Sequence, residues 1–329
     1  MTAGGYPPVR FQIPYWTSYW KVVGRRNSPY MHILHRKIKA DALRALSGNW
    51  GKAIASTLLF GSICAFFFLL GKFFAKLLDL SSTMDLLHIT TELRSENFLS
   101  EFLAVFLVLF EIIAIFVIAV PIFMGILRWY SHTVLCGCEE ITTIFYYFSK
   151  PKLFFKSLLL VLNIVCRKVF WGLICLTPGG LVAGISLYII SLNSDGQNLF
   201  FAKLCIFVGT VLFLAGMIVF WLIGLRYSLA CYLMIKEETL SVTRCIRLSR
   251  QYTLKSRGDL FRFSLSFLPF FIVSCFLFPI LFVLPYYLMS FSIYAQYLIE
   301  QNQRYPDSLM ESTGTAKQEK REKPTDFSF

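Results

Sequence analysis

The residue of this sequence best placed to do chemistry is an isolated glutamate inside a long apolar segment. Glu111 lies in the apolar run 102–127, about 5 Å from its midpoint at 1.5 Å per residue. Because a carboxylate in hydrocarbon is costly, such a residue usually faces the interior of a helix bundle or a water path. Lys203 lies near the start of a later apolar run, 199–223, and its long side chain could extend toward Glu111. The two residues predict an intramembrane polar site, which serves either proton-coupled transport or a structural hydrogen bond between helices.

A Pro-Gly-Gly sequence interrupts the apolar run 169–190. At Pro178, Gly179 and Gly180 a helix must lose hydrogen bonds, and we expect it to break or bend there. Broken helices line substrate sites in some transporters. A kink that only serves helix packing is the simpler interpretation, and both remain open at this point.

Two basic segments have the periodicity of amphipathic helices. In 31–46 the apolar positions fall on one helical face, and in 241–257 Val242, Cys245, Ile246 and Ser249 do the same. Such helices are predicted to lie on the anionic cytoplasmic leaflet, where each basic residue adds roughly 1 kcal/mol of binding energy. The residues predicted to contact lipid headgroups or a partner are Arg244, Arg247, Arg250 and Lys255. The alternative is that these charges only fix the topology.

One cluster has the residue types of a soft-metal site, namely His132, Cys136, Cys138 and Glu139. A Cys-x-Cys pair without a second pair is weak evidence, because tetrahedral sites usually draw on two chain segments. Most of the nine cysteines lie in apolar runs and are interpreted as small hydrophobic residues rather than as disulfides. No convergent set of His, Asp or Ser lies in the apolar runs. The sequence therefore predicts no enzyme, no metal and no cofactor.

The elements that position these residues are predicted to be membrane-spanning helices. Hydrophobic residues make up 56% of the 329-residue chain, which is more apolar surface than a soluble domain could bury. The formal net charge is +13, but the basic residues cluster beside the apolar runs. That is the positive-inside pattern of membrane proteins and not a nucleic-acid-binding stripe. The predicted fold is an all-α, polytopic transmembrane helix bundle with basic amphipathic cytoplasmic helices. Its predicted partners are the bilayer, anionic headgroups and another membrane protein.

About six spans are predicted within an integral membrane domain at 31–300. It lies between a poorly ordered N-terminal arm, 1–30, and a disordered polar tail, 301–329. The predicted spans are 53–74, 102–127, 169–190, 199–223, 260–278 and 279–299. The last two come from one block that is too long for a single span, with a tight hairpin at 278–279. Five spans with a re-entrant end are the alternative.

The distribution of charge predicts the orientation. Basic residues dominate before the first span, whereas the loop 77–101 is mostly acidic, so the N-terminus is expected in the cytoplasm. Six spans place the C-terminus there too. No cleavable signal peptide is expected, because the first apolar run begins only at 53. Residues 154–166 are predicted to form an interfacial or half-buried helix that leads into the third span.

Four stretches share the order and spacing of one known family. They are Ala42-x-x-x-Leu46-x-Gly48-Asn49-Trp50-x-x-Ala53-Ile54; Pro178-Gly179; Arg226-Tyr227-Ser228 through Ser249; and Phe261-x-x-x-Leu265-Ser266-Phe267 followed by Leu284-Pro285-Tyr286 and Tyr294. On these residues, which cover roughly 36–300, the chain resembles the domain of unknown function 975 family of integral membrane proteins. The interval between the second and third stretches is longer here than in the family. The resemblance implies a bacterial plasma-membrane protein and no particular activity.

These observations lead to two functional hypotheses. The first is a non-enzymatic scaffold or accessory component of the bacterial cell envelope, with the basic helices 31–46 and 241–257 as its working surfaces. The second is a small-solute transporter or permease, with Glu111 and the Pro178 break at its site.

Overall fold

The computed structural model describes residues 29–77, 98–137, 139–192, 197–254, 256–274 and 279–304, and all regular structure in them is helical. The α-helices are α1 Pro29–Leu46, α2 Trp50–Leu77, α3 Phe98–Cys136, α4 Pro151–Leu192, α5 Gln197–Gly224, α6 Ala230–Lys236, α7 Val242–Leu254, α8 Arg257–Leu265, α9 Leu268–Val273 and α10 Ile280–Arg304. A 3₁₀ helix, Ile141–Phe148, joins α3 to α4, and a 3₁₀ turn, Leu225–Tyr227, follows α5. The predicted all-α class is confirmed. Nearly all of the predicted N-terminal arm and of the polar tail, and most of the acidic loop, lie outside the described residues.

Five helices of the described part are long and apolar enough to cross a membrane, which is consistent with a multi-pass membrane protein. They are α2, α3, α4, α5 continued to Lys236, and α10. Five is one fewer than the six spans predicted, and the difference falls at 260–278, where the described residues form α8 and α9. These helices have nine and six residues. They therefore reach about 14 and 9 Å, well short of a hydrocarbon core of about 30 Å. Pro269 in the first turn of α9 starts a new helix there.

Helix α4 joins two segments that were predicted separately. Residues 154–166, predicted as a helix leading into the third span, are the first part of α4, which runs without interruption from Pro151 to Leu192. No Gly or Pro lies between 152 and 171, so nothing in the backbone ends the helix before the apolar run. Helix α4 also continues through Pro178, so it does not break at 178–180, and the bend expected there stays a prediction.

Helices α2 and α3 form an antiparallel hairpin. The side-chain amide of Asn49, just before α2, donates a hydrogen bond to the carbonyl of Gly137, just after α3, at 3.1 Å. Further along, the rings of Phe60 and Phe123 lie 6.1 Å apart between centroids. The start of α2 is therefore level with the end of α3. Large apolar side chains cover the outer surface of this hairpin, as lipid contact would require.

Helices α4 and α5 form a second hairpin whose backbones approach closely at glycines. A Cβ atom built on Gly209 of α5 would lie 2.6 Å from the backbone nitrogen of Ala183 on α4. A Cβ atom on Gly179 would lie within 3.0 Å of the backbone nitrogen of Phe213. Small residues at such positions let two apolar helices pack backbone to backbone, which is the usual way helices associate in lipid.

The buried core lies at one end of the hairpins, in a unit that we call the hub. The hub consists of α1, the part of α3 from Ala119 onward, the 3₁₀ helix 141–148, α6, α7, α8 and α10. The predicted helix 31–46 is confirmed as α1, and its apolar face (Leu34, Ile38, Ala42 and Leu46) is buried in the hub. In the most apolar window of α10, 61% of the residues are buried, against 11% in α2, α4 and α5.

Helix α10 crosses the end of the α2–α3 hairpin instead of running along it. Near its start, the ring of Phe282 lies 6.0 Å from the ring of Trp50, the first residue of α2. Near its end, the amide nitrogen of Gln296 donates a 2.8 Å hydrogen bond to the carbonyl of Ser131, close to the end of α3. The helix rises about 21 Å between Phe282 and Gln296. Because both contacts lie at the same end of the hairpin, most of that rise is across the hairpin axis.

A cluster of polar contacts around Glu238 ties the hub to both hairpins. Arg128 of α3 donates a hydrogen bond to Glu238 Oε1 at 2.6 Å, and the Tyr146 hydroxyl donates another at 2.9 Å. The Arg128 guanidinium also lies over the Tyr146 ring, 3.7 Å from its centroid. Lys156 of α4 donates to the Glu238 carbonyl. Partial burial raises the pKa of the Glu238 carboxyl, but the hydrogen bonds from Arg128 and Tyr146 outweigh it, so the pKa is lowered overall.

Candidate functional site

Helix α7 carries a row of arginines on the surface of the hub. The predicted apolar face is confirmed, since Val242, Cys245, Ile246 and Ser249 are all buried. The Ser249 hydroxyl donates a 2.7 Å hydrogen bond to the carbonyl of Arg226 in the 3₁₀ turn after α5. Because this face packs onto protein, it is not free to enter lipid, and only the basic face of α7 is exposed.

The predicted contact residues Arg244, Arg247 and Arg250 are exposed on that basic face, whereas Lys255 lies outside the described residues. A cavity of about 540 Å³ opens between α4, α7 and α8. It is lined by Arg167, Thr243, Ile246, Arg247, Arg250, Gln251, Leu254 and Arg257. We call it the arginine cavity. A neighbouring cavity of about 510 Å³ shares Thr243 and Arg247 with it and adds Arg244.

The arginine cavity is lined by positive charge, and no Asp or Glu is among its described lining residues. Three ion pairs join described residues, Arg44–Asp41, Arg128–Glu238 and His132–Glu139, and none of them includes an arginine of the cavity. The Nε atom of Arg257 is buried with no hydrogen-bond partner in the described part of the chain, and so is that of Arg226. Burial lowers the pKa of the Arg257 guanidinium, and the charges of Arg226 and Arg250 lower it further. The described lining of the cavity is therefore electropositive.

The structure does not bring Glu111 and Lys203 together. The Glu111 carboxylate packs directly over Gly71 on α2, so closely that a Cβ atom on Gly71 would overlap it. Lys203 is exposed on α5, which belongs to the other hairpin. No ion pair between these two residues is present in the described part of the chain. The contact over Gly71 favours the structural interpretation of Glu111.

The adjacent residues Gly179 and Gly180 have different surroundings. Gly179 is buried against Phe213, whereas a Cβ atom on Gly180 would meet nothing within 4 Å. This segment packs α4 onto α5 through Gly179, which favours the packing interpretation over a substrate site.

The predicted metal-type residues are only partly described, because Cys138 lies outside the described residues. His132 Nδ1 and Glu139 Oε1 are 3.8 Å apart, and Cys136 is exposed. No group of three or more His, Cys, Asp or Glu that could hold a metal ion occurs among the described residues.

Arg167, Arg226 and Arg257 are not among the contact residues predicted from the sequence, although Arg257 is the last residue of the predicted basic segment 241–257. The sequence signal for Arg167 is a charge beside the apolar run 169–190. Arg226 and Arg257 reach the site only because α7 and α8 fold back against the end of α5. No periodicity in the sequence reports that arrangement.

No protein-family model, curated protein or solved structure matches this chain. The resemblance to the domain of unknown function 975 family therefore stays a prediction, and the function must be argued from the geometry of the chain itself.

Proposed function

We propose that this chain is a multi-pass protein of the cell membrane that acts as a non-enzymatic scaffold or accessory component of the cell envelope. Its hub lies on the cytoplasmic leaflet and binds anionic lipid headgroups through the basic face of α7. The observation that carries this proposal is the arginine cavity. It places four guanidinium groups at the surface of the hub with no acidic partner among the described residues.

In this proposal, four helices cross the bilayer, namely α2, α3, α4 and α5. Helix α10 lies across their cytoplasmic ends, as its contacts near Trp50 and Ser131 support. Both ends of the described chain are then cytoplasmic. The concentration of arginines on the hub agrees with the positive-inside rule for that face.

The transporter alternative receives less support from the contacts inside the hairpins. The polar or irregular positions that a transport site would use are Glu111 and Gly179. Each of them packs against the backbone of a neighbouring helix, at Gly71 and Phe213. Contacts of this kind hold helices together and leave little room for a solute.

The test is affinity purification of the full chain in mild detergent, followed by reconstitution of the purified protein into vesicles. The proposal predicts that a stoichiometric partner copurifies. It also predicts that the purified protein binds anionic lipid and that this binding falls when Arg247 and Arg250 are both changed to Gln. It also predicts that Glu111→Gln changes neither folding nor partner recovery. A purified protein that moves a solute by itself, and loses that flux in Glu111→Gln while remaining folded, would contradict the proposal.

A further inference from the structure

We infer that the arginine cavity is a binding site for a phosphate group, held by the guanidinium groups of Arg167, Arg247, Arg250 and Arg257. The inference deepens the proposed function by naming the ligand chemistry of the hub. It depends on that function only where the phosphate belongs to a lipid of the cytoplasmic leaflet.

The positive charge of the arginine cavity is not balanced by described acidic residues. Four arginines from three helices line one cavity of about 540 Å³. None of them belongs to an ion pair between described residues. Like charges this close together repel one another, and an anion of charge near −2 would relieve that repulsion. A phosphate monoester carries such a charge near neutral pH.

The second argument is the geometry of the donors. Arginine presents a planar fork of N–H groups that matches two phosphate oxygens at once. The Nε–H of Arg257, a residue that lines this cavity, is buried and has no hydrogen-bond acceptor among the described residues. Thr243 and Gln251 add neutral donors to the same lining. A phosphate bound in the cavity would accept hydrogen bonds from the guanidinium groups and from these neutral donors.

The third argument is the position and size of the cavity. Arg167 lies on α4 between exposed apolar side chains on either side of it in the chain, such as Val165 and Val169. The cavity therefore lies next to exposed apolar surface. Its volume is within the range of small-molecule sites and exceeds that of bare phosphate. Ile246 and Leu254 give part of the lining an apolar character, which suits the carbon atoms attached to a phosphate ester.

The test measures binding of inorganic phosphate to the full-length protein in phosphatidylcholine nanodiscs, at constant ionic strength set with chloride. Arg247→Gln and Arg257→Gln are each expected to weaken phosphate binding about tenfold or more, because each removes charge-assisted hydrogen bonds. The matched control is Arg262→Gln, on the same helix as Arg257. It removes the same charge outside the lining of the cavity and is expected to change binding less than twofold.

A second set of nanodiscs containing phosphatidic acid identifies the source of the phosphate. If the site takes a lipid headgroup, phosphatidic acid weakens the binding of inorganic phosphate in the wild-type protein. If the ligand is a soluble phosphate, inorganic phosphate binds equally in both kinds of nanodisc. Either result supports the inference.

Two results would overturn it. One is a wild-type protein that binds neither inorganic phosphate nor phosphatidic acid more tightly than chloride or phosphatidylcholine. The other is an equal loss of binding in the cavity variants and in the Arg262→Gln control. If Arg257→Gln does not fold, Arg257→Lys keeps the charge and loses the fork, and it is expected to bind phosphate more weakly than wild type. Phosphate binding without any copurifying partner would count against the scaffold and not against the site.

Discussion

The packing of α4 on α5 makes opposite predictions for two adjacent glycines. In Gly179→Ala the new methyl group would lie within 3.0 Å of the Phe213 backbone nitrogen, whereas in Gly180→Ala it would meet nothing within 4 Å. Ordinary contacts of a Cβ atom begin at about 3.4 Å, so Gly179→Ala forces the two backbones apart by several tenths of an ångström at least. Both helices are held there by their backbones, which leaves no flexible side chain to move aside.

The expected magnitude follows from comparing the two variants. Alanine gains about 1 kcal/mol of helix propensity over glycine in either position. Overpacking costs about 1–3 kcal/mol, and it applies to Gly179→Ala alone. We therefore expect Gly179→Ala to be about 1–3 kcal/mol less stable than Gly180→Ala, and Gly180→Ala to be as stable as wild type or slightly more so. The gain in helix propensity cancels in this comparison.

The measurement is reversible unfolding of the purified protein in mixed micelles, followed by circular dichroism, with wild type and both variants in parallel. Equal stability of the two variants would refute the close approach of α4 and α5 at Gly179. A larger loss in Gly180→Ala would mean that the Pro-Gly-Gly segment faces the other way and is free to line a path through the protein.

Two further predictions concern the hub. Arg128→Met should lower the free energy of unfolding by about 1–3 kcal/mol, because it leaves the partly buried Glu238 unpaired. This range lies between the values for exposed and for buried ion pairs. In a double-mutant cycle, adding Glu238→Gln should recover part of that loss, and strict additivity would contradict the pairing. Burial lowers the pKa of His35 more than nearby Asp259 raises it. His35 therefore binds a proton at a higher pH in the unfolded chain than in the folded chain. The free energy of unfolding should then fall as the pH drops through about 6.5. The thermal unfolding midpoint measured from about pH 7.5 to 5.5 should depend less on pH in His35→Gln, and an unchanged slope would refute the assignment.

The parts of the fold that follow from local pattern could be predicted from the sequence. Helix α7 is an example, because its buried positions repeat at helical spacing whatever they pack against. The structure differs from the prediction in what covers this face, because the apolar face of α7 packs onto the hub and not onto lipid. A helical period identifies a face to be buried but does not say whether protein or lipid covers it.

The number of spans could not be predicted, because an apolar segment that is buried by protein in the hub has a composition similar to that of a segment that faces lipid. Between 260 and 299 the sequence is apolar enough for two spans, yet α8 and α9 are short and α10 is largely buried by protein. The polar residues of α10 were the available signal. Ser290, Ser292 and Gln296 are all buried, and Gln296 hydrogen-bonds to α3, as expected of a helix inside a protein core.

The arginine cavity depends on tertiary structure in a different way. Its arginines come from α4, α7 and α8, and the whole of α5 and α6 lies in the chain between Arg167 and the arginines of α7. The charge count showed an excess of basic residues but not their convergence. Arg247 and Arg250 were found because they lie on one helical face, whereas Arg167 and Arg257 join them only through packing.

We propose that four helices cross the bilayer and that α10 lies across their cytoplasmic ends. Single cysteines at the two ends of α10, Ile280→Cys and Gln303→Cys, in a background without the native cysteines, test this arrangement. A membrane-impermeant maleimide is expected to label neither site in intact cells and both sites in inside-out vesicles. Labelling of the two cysteines from opposite sides of the membrane would show that α10 crosses it and would refute the arrangement.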